Sequence, residues 1–177
     1  MRCRNGVRVG QESRGQSMVE FALVAPIFFL LVFAVIQLGI TFGGQNGLVS
    51  ATREFARYAA PYRVKTSTDA TNVCADTRLT TQLSNDLSGY VPGYAAANIG
   101  VRTLTYHWLL NADGTTYSVQ MTVHVSYHFP LYVPLVGNIL DRFDGVADNK
   151  LLLDASETMR IENSGLTSTY SDVSCSI

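Results

Sequence analysis

Polar and apolar residues alternate along this chain with a period that changes from segment to segment. From Phe21 to Ile40 the chain is almost continuously apolar, and after Glu20 no charge occurs until Arg53. As a helix rising about 1.5 Å per residue, this run is roughly long enough to cross a hydrocarbon layer of about 30 Å. From Leu48 the spacing becomes that of an amphipathic helix, with Leu48, Ala51, Thr52, Phe55, Ala56 and Ala59 on one stripe. Pro61 stops it. Residues 16–60 thus read as one long helix or two consecutive ones. A shorter helix is predicted over Arg78–Leu87, with Leu79, Leu83 and Leu87 on one face and an end near Gly89.

Farther on the period becomes two. Tyr117, Val119, Met121, Val123, Val125, Tyr127 and Phe129 alternate with Ser118, Gln120, Thr122, His124, Ser126 and His128. Such alternation marks a strand with one dry and one wet face. Leu104, Tyr106, Trp108 and Leu110 form a matching face before it, and Asn111–Gly114, with its Asp-Gly pair, reads as the hairpin turn. The register of that hairpin places Trp108 on the same side as Tyr117 and Val119. Leu151, Leu153, Ala155, Met159 and Ile161 give another alternating strand, broken only by Glu157. The fold class is α+β: a long N-terminal helix followed by an antiparallel sheet of about three or four strands.

The segments between carry breakers. Pro26 removes a backbone donor and crowds the carbonyl of Ala22, so a kink is expected there. Gly39, Gly43 and Gly47 recur every fourth residue, with Gly44 beside them. This spacing has two readings: close approach by another helix, or a hinge, since each glycine weakens a helix interior by up to about 1 kcal/mol. Residues 62–77 are rich in Thr, Ser, Asp and Asn and read as a loop. Residues 89–98 are turn-rich. Phe129–Leu140 contains Pro130, Pro134 and Gly137, so it reads as an apolar loop or short helical turn covering the sheet edge. Asp141–Asn149 reads as an acidic turn and Ser164–Ile177 as a polar tail.

Net charge changes little in this picture and its distribution changes more. The chain has 13 Lys and Arg against 14 Asp and Glu, which gives no bulk electrostatic case for nucleic-acid binding. Arg2, Arg4, Arg8 and Arg14 crowd the first residues with only Glu12 opposing them. The positive-inside rule then keeps the N-terminus cytoplasmic and exports the remainder. A secretory signal peptide fits less well, because the apolar run is too long and no small-x-small site closes it. Cys3 falls in the basic N-terminal stretch, leaving Cys74 and Cys175 on the exported side. In an oxidising compartment they are expected to pair, the alternative being two free thiols. Arg53 and Arg57, with Glu54 between them, read either as a solvated helix face or as a contact for lipid headgroups or a partner.

Catalytic and metal chemistry find little support. His107, His124 and His128 are the only histidines. On a strand rising about 3.3 Å per residue, His124 and His128 are about 13 Å apart, too far to share an ion. Asp141, Asp144 and Asp148 depart from the spacing of a calcium loop and lack its closing Glu. No P-loop, GxSxG, HExxH or CxxC occurs. No catalytic residue, metal ligand or cofactor is assigned.

The N-terminal third resembles a known family. Gly15-Gln16-Ser17-Met18-Val19-Glu20-Phe21 and the apolar run after it are similar to the N-termini of type IV pilins. The segment 15–26, together with Ser50–Ala60, resembles more narrowly the TadE-like pseudopilins of the tight-adherence (Flp-type) pilus system. Leu151–Glu162 resembles the closing strand of that family more loosely, and residues 63–100 show no likeness. The resemblance implies a basic leader, residues 1–15, cut by a prepilin peptidase between Gly15 and Gln16, with Glu20 fifth in the mature chain. Residues 16–60 would cross the inner membrane, and 61–177 would form the exported domain. Other pilins and the pilus assembly platform are the implied partners, besides the membrane. Gln16 in place of Phe, and Pro26 early in the helix, depart from the bulk pilin pattern. The other reading is an uncleaved single-pass anchor presenting a periplasmic binding module.

Overall fold

A computed structural model describes residues 12–133, 137, 139 and 148–177. Helix α1 (Glu12–Ala59) is followed by α2 (Ser67–Cys74), α3 (Thr77–Tyr90) and a 3-10 turn at Ala96–Asn98. Strands β1 (Ile99–Leu110), β2 (Tyr117–Pro130), β3 (Lys150–Leu166) and β4 (Val173–Ser176) form one antiparallel sheet in the order β3-β2-β1-β4. The fold is α+β, with a long apolar N-terminal helix and four strands.

Pro26 lies inside α1, so the structure has one helix where the sequence allowed one or two. The helix already includes Glu12–Gly15, residues expected to belong to the basic leader. Nothing in the local sequence stops it there, because neither proline nor a capping turn separates Glu12 from the apolar run. Residues 1–11, with Cys3, and most of the 134–147 stretch, with Asp141 and Asp144, lie outside the described residues.

The amphipathic stripe of α1 forms the centre of the core. Leu48, Ala51, Thr52, Phe55, Ala56 and Ala59 are all buried. The apolar ones belong to one cluster with Leu79, Leu83 and Leu87 of α3, the inner face of β2, and Leu153 and Ala155 of β3. Each large apolar side chain buried this way contributes about 1.5–3 kcal/mol. The alternation of β2 is seen in its burial: Val119 through Phe129 are buried at every odd position. Trp108 pairs with Val119 and Leu110 with Tyr117. The hairpin loop is longer than the Asp-Gly pair alone, spanning 111–116 and closed by Asn111 N–H donating to the Thr116 carbonyl at 2.8 Å. Gly114, at φ +69°, takes its left-handed position.

Two polar stretches hold elements that the pattern of apolar residues does not show. In the expected loop 62–77, Thr66 caps α2: its hydroxyl accepts from Asp69 N–H at 3.1 Å, and the Asp69 carboxylate accepts from Thr66 N–H at 2.9 Å. This reciprocal box satisfies two orphan donors at once. In the expected polar tail, β3 continues to Leu166 and Val173–Ser176 adds β4 to the edge of β1. Ile177 is buried, with its N–H donating to the Arg102 carbonyl at 3.2 Å.

The sheet has a fixed polarity along α1. Phe129 lies against Gly44, Gln45 donates to the Asp154 carbonyl at 2.8 Å, and Arg53 reaches Glu157 at 3.3 Å. Arg57 lines a cleft with Met159 and Arg160. Strand β3 therefore ascends with α1, the hairpin 111–116 lies at the far end, and residues 131–133 lie at the end nearest the bare helix.

Candidate functional site: the bare helix and its junction with the head

The candidate processing and assembly residues sit on a part of α1 that touches nothing else described in the chain. Gly15, Gln16 and Glu20 are exposed, and Gln16 Nε2 donates to Glu20 Oε1 at 3.1 Å, one turn along. From Phe21 to Ile36 nearly every side chain is exposed, including Phe21, Leu23, Ile27, Phe28 and Leu31. An apolar surface of this extent, on all sides of a helix, does not belong in water. Among the described residues α1 is the one helix long and apolar enough to cross a membrane.

The bare stretch ends at Gln37. This side chain is fully buried, and its Oε1 accepts from Tyr132 N–H and Val133 N–H, each at 3.0 Å. Its Nε2 lies 3.4 Å from Thr41 Oγ1, which itself donates to the Gln37 carbonyl at 2.9 Å. One amide inside the apolar run thus straps Tyr132 and Val133 of the head, the sheet-bearing part of the chain that follows α1, to the helix. A polar residue in the middle of an apolar run was the signal for this junction, and the reading of 21–40 as a uniform span passed over it.

The glycines separate into two groups. A methyl group added at Gly39 or Gly43 would meet nothing within 4 Å. At Gly44 it would lie 2.5 Å from the Phe129 ring, and at Gly47 it would collide with the Tyr90 carbonyl. Gly47, expected to serve approach by another helix or a hinge, is where this chain's own α3 comes against α1. The helix runs unbroken through all of them.

Arg53 is tied to Glu157, which explains why an acid interrupts the apolar alternation of β3: it turns toward α1. Arg57 lies 3.9 Å from Glu54. Arg53, Arg57 and Glu54 are exposed and Glu157 is half-buried, so each pair holds little stability, about 0–1 kcal/mol. Cys74, at the end of α2, is joined to Cys175 of β4 by a disulfide with Cα atoms 6.1 Å apart. It closes a separation of 101 residues and fixes the edge strand to α2.

Among the described residues, the charged groups after α1 are dispersed. His107 Nδ1 lies 2.7 Å from Asp172, His124 Nε2 lies 3.4 Å from Asp154, and His107 pairs with Gln120 across the sheet. No three His, Cys, Asp or Glu side chains converge among the described residues. Among the described residues, the carboxyls of Asp69 and Asp113 are held low by donated hydrogen bonds. Backbone N–H groups of Thr66 and Lys65 do this for Asp69, and the Thr116 hydroxyl leads for Asp113. Asp86, buried between α3 and α1, is instead pushed up: burial is the main cause and Glu54 adds to it, against a hydrogen bond from Gln82.

No curated protein matches the chain, and no solved structure matches it. A family model does, described as TadE-like protein, over residues 15–57. The match opens at Gly15, takes in Gln16, Glu20, the bare apolar helix, Gln37 and the glycines, and ends at Arg57, within the amphipathic stripe. The likeness to that family covers residues 15–57, the apolar helix that precedes the sheet.

Proposed function

We propose that this protein is a minor pilin or pseudopilin that takes part in assembling a tight-adherence, Flp-type pilus, as a structural component and not a catalyst. The observation that carries this reading is the TadE-like match, which starts at the Gly15–Gln16 junction and includes Glu20. The reading assigns cleavage after Gly15 to a prepilin peptidase, the inner-membrane span to α1, and the exported part to residues 61–177.

The chemistry turns on Glu20. An acid at mid-bilayer costs about 2.5–3.5 kcal/mol, and less near the surface. Cleavage creates an ammonium at Gln16. Two opposite charges about 4 Å apart attract by about 4 kcal/mol at an effective dielectric of about 20, enough to offset that cost. Within one chain, Glu20 has the neutral Gln16 amide as its hydrogen-bond donor among the described residues. A charged amine from an adjacent subunit is the stronger donor. The pair then draws one subunit against the next in register, and Gly39 and Gly43 leave the helix surface open for a neighbouring helix.

Glu20→Ala tests this. The variant is expected to insert and fold normally but to fail in assembly, scored by piliation of cells carrying it as the sole copy. Normal piliation would show that the carboxylate does not drive assembly.

A further inference from the structure

The bare part of α1 is too short for the bilayer it is read as crossing, and the head supplies the difference. Glu20 is the charge nearest the cytoplasmic end of the apolar run, and Gln37 is where the head takes hold. Phe21–Ile36 spans about 24 Å as a helix, against about 30 Å of hydrocarbon, which leaves about 6 Å, or about four residues, to be covered beyond Ile36. Tilt of the helix widens the shortfall.

The level of the missing residues is the level of the strap. Residues 37–42 of α1 and 131–133 of the head carry no charge. The Gln37 amide, which would be costly in hydrocarbon, has both its oxygen bonds made to backbone N–H groups. Around it, apolar surface stays uncovered: Phe42 is 66% exposed, Tyr132 53% and Leu38 42%. Tyr132 has an apolar ring and a polar tip, the kind of side chain that settles at headgroup level. At the opposite end of the head lie the charged and polar hairpin 111–116 and Arg160, whose Nη2 donates to Asn111 Oδ1 at 2.9 Å.

We propose that, in the membrane-resident form, the head is seated in the outer lipid interface and does not stand clear on a bare stalk. Leu38, Phe42 and Tyr132 lie at the boundary of headgroups and acyl chains, at a depth set by the Gln37 strap. The inference rests on α1 spanning the membrane, and goes beyond it by placing the head against lipid.

Quenching of tryptophan emission by brominated lipids reads depth directly. The one native tryptophan, Trp108, lies in the head core toward the hairpin and serves as the built-in distal reference. Phe29→Trp, Phe42→Trp and Tyr132→Trp are each made in the full chain and reconstituted in phosphatidylcholine vesicles brominated near the headgroup or deep in the acyl chain. Phe29→Trp should lose emission mainly to deep bromines. Phe42→Trp and Tyr132→Trp should lose it mainly to shallow ones, with Trp108 unchanged. If Phe29→Trp is quenched while the other two behave like Trp108, the span stands and the seating is wrong. If Phe29→Trp is itself unquenched, the span fails and the seating falls with it. Phe42, which packs less tightly than Tyr132 beside Gly93, keeps the test valid should the Tyr132 variant misfold.

Discussion

Gly47→Ala adds one methyl group to a helix face that has no room for it. The new Cβ would overlap the Tyr90 carbonyl oxygen and lie 2.9 Å from its carbon. The obstruction is backbone at the last residue of α3, and it cannot rotate away as a side chain can. Helix α3 must therefore move off α1, loosening Leu83 and Leu87 from Phe55 and Leu48 in the shared core. Overpacking of this kind costs about 1–3 kcal/mol, occasionally more. Alanine returns about 1 kcal/mol of helix propensity relative to glycine. With a backbone obstacle the upper part of the range applies, so the net loss is about 1–2 kcal/mol. Gly43→Ala, four residues earlier and in open space, carries only the propensity gain. The assay is chemical unfolding of the detergent-solubilised chain followed through Trp108. The account requires Gly47→Ala to lower the midpoint while Gly43→Ala leaves it equal or raises it. Equal stability of the two variants would show that α3 accommodates the methyl group at no cost. If Gly43 also meets a neighbouring helix in the filament, its alanine variant keeps a stable head and loses assembly.

Other expectations follow from the head. Cys74→Ser opens a closure across 101 residues, worth about 4–5 kcal/mol in the chain-entropy account. It should lower the unfolding midpoint and release the amides of Ser174–Ser176 to hydrogen exchange, and undiminished protection there would contradict the anchoring of β4. Asp86 has a folded-state pKa above its unfolded value, so its ionised form destabilises the head at neutral pH, and that penalty disappears as pH falls through the raised pKa. Asp86→Asn should therefore stabilise the head at neutral pH and lose its advantage below the ordinary carboxyl range. Equal stability at neutral pH would show that the burial is not costly.

What could be read from the sequence was set by how local the cause is. The alternation of β2 and the stripe from Leu48 to Ala59 are legible because each element buries a single face, and burial imposes the period directly. The Trp108–Val119 register follows from the same parity. Helix α2 was not legible, since its core contribution is small, Ala70 and Val73, and its marker is the pair Thr66 and Asp69 in a stretch whose composition is that of a loop. Strand β4 is four residues long and depends on β1 and on Cys74, both remote in sequence. Glu157 breaks a pattern for a partner, Arg53, 104 residues earlier. In the candidate site, Gly15, Gln16 and Glu20 stand out by order alone. The double acceptor role of Gln37 and the burial of Gly47 against Tyr90 exist only once the head has folded onto the helix.

On the proposed function, the chain becomes assembly-competent when residues 1–15 are removed and Gln16 acquires a free amine beside a neighbour's Glu20. Intact-mass measurement with N-terminal sequencing of the protein from its native membrane tests this most directly. The account predicts a chain beginning at Gln16. A chain that still carries Arg2, Arg4, Arg8 and Arg14 would contradict it and leave a membrane-anchored binding module in its place.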